Sequence, residues 1–176
     1  MEAVESDRYR RPARVLHWLI AVLVIGNIIG GFVIANVEGV DTIYNLHRST
    51  GFLIMVLAIL RLLYRLTNPP PPLPTHMPAL QKFAAEVVHW ALYGFMIVTP
   101  IVGWAASNAF GAQVSIYWLF ELPAIVGKDE ALFKSLIAAH QWLGIGFLLA
   151  ILVHIGGALF HTVVQKDGIL ARMWPV

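Results

Sequence analysis

Apolar residues run through this chain in four long blocks, at about residues 15–37, 43–66, 80–106 and 136–164, separated by short polar or proline-rich stretches. Each is long enough for the roughly 20 residues that carry a helix across a bilayer core. The third block is most uniformly apolar over Val87–Ala106. The second carries Arg61 and Arg65 near its end, one turn apart, where their stems can follow the helix and their heads reach the headgroups. The fourth is longer than a membrane needs and is expected to tilt or to project beyond it. The pattern predicts an all-α membrane protein, a four-transmembrane-helix bundle forming one domain over residues 1–176.

Composition agrees. The 176 residues are 59% hydrophobic and only 12% charged, too little polar surface for a soluble domain. There are no cysteines, which excludes disulfides, iron–sulfur clusters, thiolate ligands and covalent haem attachment through Cys-x-x-Cys-His. The net charge of +2 comes with basic residues grouped at segment ends, a membrane-topology pattern and no nucleic-acid signature. Arg8, Arg10, Arg11 and Arg14 precede a first segment too long for a signal-peptide core, so no cleavable leader is expected. With Arg61, Arg65 and Lys82 flanking the second connection, and Lys166 and Arg172 in the tail, both termini and that connection are expected to be cytoplasmic.

The second connection, Asn68 to Pro74, is proline-dense and reads as a helix stop followed by a stiff spacer. Residues 107–135 form a longer connection, in which Tyr117, Trp118 and Phe120 are expected to lie at the membrane interface.

Seven histidines carry the candidate chemistry. His140 and His154 are fourteen residues apart on the fourth segment. Fourteen helical steps fall about 40° short of four turns and rise about 21 Å, so both imidazoles share one face at two depths. Histidine inside hydrocarbon is costly and normally functional. His47 opens the second segment at the depth of His140, and these two are expected to share one haem. At the other level stand His17, His89, His154 and His161, and periodicity alone leaves His161 as well as His154 on the required face. His17 with His154 is the preferred pair, leaving His89 and His161 without iron. A proton relay would call for a carboxylate within the membrane, and the nearest is Glu86; a single metal ion would need histidines converging at one depth. His76, in the proline-rich connection, is expected to be solvated. Gly51 and Gly144, each one turn after a histidine, would admit a flat porphyrin close to the backbone, as would Gly156 and Gly157 after His154. Arg14, Arg61 and Arg65 are candidate partners for haem propionates.

The strings Arg8-Tyr9, Arg14-Val15-Leu16-His17-Trp18 and Asn45-Leu46-His47-Arg48-Ser49-Thr50-Gly51, followed by the His140/His154 pair, resemble the bacterial cytochrome b561 family over essentially the whole chain. The wider group includes the di-haem membrane subunits of formate dehydrogenase and nickel–iron hydrogenase. The resemblance implies a bundle binding two haem b groups non-covalently, with iron ligated by His17 and His154 in one and by His47 and His140 in the other. It also implies a multi-pass protein of the bacterial inner membrane. Within the family, the short chain is similar to members that act as superoxide oxidases, taking an electron from superoxide at the periplasmic side and passing it to ubiquinone. In those, two histidines that do not bind iron are associated with quinone, and by position they correspond to His89 and His161. Arg48, Lys128 and Lys134 are candidates for attracting superoxide, offset by Glu121, Asp129 and Glu130. The alternative role is an electron-relay subunit between a partner dehydrogenase or redox protein and the quinone pool.

Overall fold

The computed structural model describes residues 8–74 and 77–174. His76 lies outside the described residues. Four long helices span the chain: α1 (Arg11–Asn36), α2 (Asp41–Thr67), α3 (Ala79–Phe110) and α4 (Glu130–Phe160). All four are long and apolar enough to cross a membrane. A two-stranded hairpin, β1 (Ser115–Ile116) and β2 (Phe120–Glu121), lies between α3 and α4. After α4 come a π-helical turn (His161–Gln165) and a short helix, α5 (Ile169–Met173).

Helix ends follow local chemistry. Pro12 occupies the first turn of α1, where its missing N–H costs nothing. Asp41 in the first turn and Arg65 in the last turn of α2 complement the helix dipole. Helix α3 runs four residues past the apolar block and stops at Gly111, whose φ of 97° is open to glycine and strained for other residues. Helix α4 begins six residues before its apolar block: the Asp129 carboxylate accepts a hydrogen bond from Leu132 N at 3.0 Å, and Lys134 pairs with Glu130 at 2.7 Å. That extra turn and a half is polar, so it stands clear of hydrocarbon, and hydropathy alone does not mark it. Pro100, inside α3, removes one ladder hydrogen bond and crowds the carbonyl of Met96.

Consecutive long helices pack against each other, and α1 meets α4 through His17 and His154. The apolar core joins all four helices through Ile20, Val24, Ile54, Ala58, Tyr93, Met96 and Phe147. Outside it, Val22, Phe32, Leu63, Leu149 and Leu152 are each more than half exposed. In water such a surface would drive aggregation; in a bilayer it is the lipid-facing belt. The protein is a multi-pass membrane protein.

The hairpin is tied to α2 beside His47. Ser49 is fully buried; its hydroxyl lies 3.2 Å from both Ser115 O and Asn45 Oδ1 and accepts from Tyr117 N at 2.8 Å. Asn45 donates to Ser115 O, and the Thr50 and Tyr117 hydroxyls are 3.1 Å apart. Tyr117 therefore points inward, while Trp118, Leu119 and Phe120 remain exposed at the hairpin tip.

At the opposite end, α5 binds the start of the chain and the proline-rich connection together. Tyr9 N donates to Arg172 O, Trp18 Nε1 to Met173 O at 2.8 Å, Arg14 to Trp174 O at 2.9 Å, and Arg172 to Pro72 O at 2.7 Å. Arg10 bonds the Asn68 side chain. Burial pushes the Tyr9 phenol above its usual value of 10, against the lowering influence of Arg65, Arg61 and Arg172. A phenol raised in the folded state stabilises the fold fully below its unfolded pKa, and that stability is lost as pH climbs through the folded pKa. Between pH 8 and 11, wild-type Tm is therefore expected to fall more steeply than that of Tyr9→Phe. Parallel curves would show that the Tyr9 phenol contributes nothing to the clasp.

Candidate functional site

The histidines gather at two levels along the bundle. Near the hairpin, His47 of α2 and His140 of α4 face each other with ring centroids 6.0 Å apart and planes 84° apart. The ring nitrogens are fixed from behind: His47 Nδ1 is 3.0 Å from Asn27 O in α1, and His140 Nδ1 is 3.0 Å from Thr99 O in α3. A backbone carbonyl only accepts, so in both rings Nδ1 carries the proton and Nε2 presents a lone pair. This is the second shell that metal-bound imidazoles generally have. Two glycines make room for the rings. A Cβ at Gly103 would lie 2.8 Å from His140 Cε1, and one at Gly31 would lie 3.2 Å from His47 Cε1. Beside them, an apolar cleft of about 290 Å³ is lined by Gly26, Asn27, Gly30, Leu46, His47 and Thr50, among others.

At the other level, His17 of α1 and His154 of α4 are also 6.0 Å apart, with planes at 73°. His89 of α3 stands against His154 as well, at 5.4 Å. Arg61 donates to His17 Nδ1 at 3.0 Å, and its guanidinium lies 5.9 Å from the centre of the Tyr93 ring. Arg65 lies over Trp90 in the same way. Arg14, a candidate propionate partner from the sequence, donates to the carbonyl of Trp174.

His161 lies beyond this level, in the π-helical turn, with its Nδ1 2.6 Å from the Asp167 carboxylate. The sequence offers Glu86 as the nearest carboxylate to the membrane histidines. Glu86 is exposed, and Asp167, six residues beyond His161, is the partner. A spacing of six is not a neighbouring pair on a helix, so the contact depends on the π turn and on the positive φ of Lys166, 52°. The glycines that meet the histidine rings are different from those beside them in sequence. A Cβ at Gly51 would make only ordinary contacts with Asn27 and Pro100, and Gly144, Gly156 and Gly157 have nothing within 4 Å. Gly103 and Gly31, which the sequence reading passed over, are the glycines that the protein's own histidines press against. Among the charges near the hairpin end, Lys134 is paired with Glu130, and Lys128 lays its stem against Gly111.

The donor set can be tested against a haem. Imidazole–metal bonds are about 2.0 Å long, so two rings bound on opposite sides of one iron lie about 6 Å apart between centroids. The 6.0 Å separations of His47/His140 and His17/His154 meet that requirement, and the 5.4 Å of His89/His154 falls short of it. Asn27 Oδ1, Thr99 Oγ1 and Trp104 Nε1 are buried without a protein partner, and Asn27 and Thr99 are the two residues whose carbonyls hold the histidines. Polar atoms left this way cost about 1–3 kcal/mol each and fit a site that expects a further occupant.

The prokaryotic cytochrome b561 family model matches residues 8–176. The chain is 33% identical over 172 residues to "Cytochrome b561 homolog 2" of Escherichia coli, covering 95% of this chain and 91% of that protein. It is 35% identical over 137 residues to "Cytochrome b561 homolog 1" of the same organism, covering 73% of each. It is 31% identical over 164 residues to "Probable superoxide oxidase CybB" of Yersinia pestis, covering 91% and 92%. Four membrane-spanning helices, imidazoles facing each other in two pairs and a family match over nearly the whole length agree: the chain belongs to the prokaryotic cytochrome b561 family, redox proteins of the membrane that carry b-type haem.

Proposed function

We propose that this chain holds two haem b groups and transfers electrons from superoxide, at the periplasmic side, to a membrane quinone of the ubiquinone type. The observation that carries the reading is the pair of histidine couples, each 6.0 Å apart, set at two depths by the fourteen-residue step along α4. His47 and His140 would ligate one iron, and His17 and His154 the other. Arg61, now on His17 Nδ1, would turn to a propionate once that nitrogen carries the proton. Gly51 and Gly144 would lie against the porphyrins. Haem, when bound, supplies one-electron transfer.

The chain's own residues do the remaining work. Two histidines at each level would hold the iron between them, so superoxide would meet a haem edge and not the metal. Arg48, adjacent to His47 and over Tyr44 at 5.3 Å, supplies positive charge near that edge. The cationic residues around the other end, the N-terminal arginines, Arg61, Arg65 and Arg172, support a cytoplasmic position for that end by the positive-inside pattern. There His89 and His161 would meet quinone and supply protons. The superoxide assignment takes its support from the Yersinia pestis relative, whose name carries that activity.

The test is made on detergent-purified, haem-loaded protein under a steady enzymatic superoxide flux, following oxygen release and quinone reduction. Rapid haem reduction and quinol formation are expected, with His89→Ala and His161→Ala slowing quinol formation by about tenfold or more and sparing haem reduction. A di-haem protein indifferent to superoxide would overturn the proposal in favour of an electron-relay subunit fed by a partner dehydrogenase.

A further inference from the structure

Among the described residues, His161 is the histidine that meets a carboxylate. Its partner is placed with care. The Asp167 side chain is 3% exposed and the His161 ring 14%. A carboxylate this buried is unfavourable unless hydrogen bonds and opposite charge compensate it. Asp167 Oδ2 accepts from His161 Nδ1 at 2.6 Å, while Oδ1 accepts from Ile169 N, the first residue of α5, at 3.2 Å. The backbone bends to make this possible: His161 opens a π-helical turn, Lys166 has φ 52° and Gly168 φ 76°. π-helical turns and left-handed residues are costly locally and concentrate at functional sites. Two turns separate His161 from His154, so its ring stands near the same face and about 10 Å closer to the chain termini.

We infer that Asp167 is a positioning residue that aims the exchangeable Nε2 proton of His161 at the quinone carbonyl. This rests on the quinone reading given above. The carboxylate only accepts, so it holds the His161 proton on Nδ1 and leaves Nε2 as the nitrogen that gains and loses a proton. With Nε2 protonated, the ring donates from both nitrogens, Nδ1–H to Asp167 and Nε2–H toward the quinone carbonyl. When the Nε2–H bond breaks and the quinol O–H bond forms, the ring returns to a neutral imidazole already in the correct tautomer. Water at the cytoplasmic face then restores the Nε2 proton. Quinone takes up two electrons and two protons, the electrons being those released as two superoxide ions become two O₂. The dyad accounts for one of the protons.

Asp167→Asn separates this role from a merely structural one. The amide oxygen can keep the bond from Ile169 N, which turns the amide NH₂ toward His161 Nδ1. The ring is then forced to carry its proton on Nε2 while neutral. It still donates a hydrogen bond to a quinone carbonyl, but releasing that proton would leave an imidazolate. Binding is therefore kept and proton delivery lost.

The experiment uses haem-loaded full-length protein with decyl-ubiquinone as acceptor and ferricyanide, which takes an electron without a proton, as control. Asp167→Asn is expected to lower kcat for decyl-ubiquinone by about tenfold or more, with KM within about twofold and ferricyanide rates at the wild-type level. His161→Gln is expected to do the same, and the double variant to be no slower than either single one. Independently of turnover, ¹⁵N-histidine NMR should show His161 protonated on Nδ1 in wild type and on Nε2 in Asp167→Asn. An unchanged kcat, a rise in KM alone, additive losses in the double variant, or an unchanged tautomer would each overturn the inference. If the wild-type haem is not oxidised by decyl-ubiquinone at all, the quinone reading itself fails, and that outcome is distinct from all the others.

Discussion

Haem content is expected to fall from two per chain to one when His140 is replaced by alanine, and the haem that remains should keep its bis-histidine spectrum. The argument is geometric. His140 and His47 face each other at 6.0 Å, and no other histidine among the described residues touches that pair. Removing one ring leaves a single histidine in an apolar cleft, with the Thr99 carbonyl also losing the hydrogen bond it now accepts. The second level is about 21 Å away along α4 and has its own pair of histidines, so it should keep its haem. His154→Ala is expected to produce the mirror-image result. The same assay separates His17 from His89, which both touch His154. At 6.0 Å His17 has the spacing of a trans ligand, whereas His89 at 5.4 Å does not. His17→Ala should therefore cost a haem and His89→Ala should not. Pyridine haemochrome per mole of protein, with a potentiometric titration to count the centres, gives the answer; loss of haem in His89→Ala and its retention in His17→Ala would reassign the ligand.

How much of this could be read from the chain depends on the range over which each signal acts. The four spans were legible because twenty consecutive apolar residues are a local property, and so was the two-level histidine pattern, because helical geometry carries His140 to His154 without reference to anything else. The helix ends were less so. The first turn and a half of α4 is built on Asp129, Glu130 and Lys134, polar residues that satisfy a cap and an ion pair outside the apolar block. The contacts that orient the site were not legible at all. Asn27 and Thr99 act through backbone carbonyls, which every residue has, so no side-chain pattern announces them. Asp167 reaches His161 only because a π turn and a left-handed lysine reverse the chain between them. Tyr117 sits in an aromatic run that reads as interfacial throughout, yet it turns inward to Thr50 and Ser49 because the hairpin fastens there.

Gly103 shows the same point and yields the second large prediction. It lies on α3, one turn after Thr99, so the helix that offers a carbonyl to His140 Nδ1 also presents a bare backbone to the ring. A Cβ there would lie 2.8 Å from Cε1 and 3.0 Å from Nδ1, closer than real Cβ atoms approach anything. The ring cannot yield freely, because moving it breaks the 3.0 Å bond to Thr99 O, worth about 1 kcal/mol, and leaves a buried donor unpaired. Gly103→Ala is therefore expected to push His140 off the His47 axis, to weaken haem binding at that level by about tenfold or more and to lower the Tm of the haem-free protein as well. Gly144→Ala is the contrasting case. Nothing lies within 4 Å of its Cβ position, so the haem-free protein should be indifferent to it and only a porphyrin lying against Gly144 could register the methyl group. Haem titrations and melting curves of both variants, with and without haem, separate a glycine that accommodates the protein's own ligand ring from one that accommodates the cofactor. Equal behaviour of the two in the haem-free protein would remove the steric role assigned to Gly103.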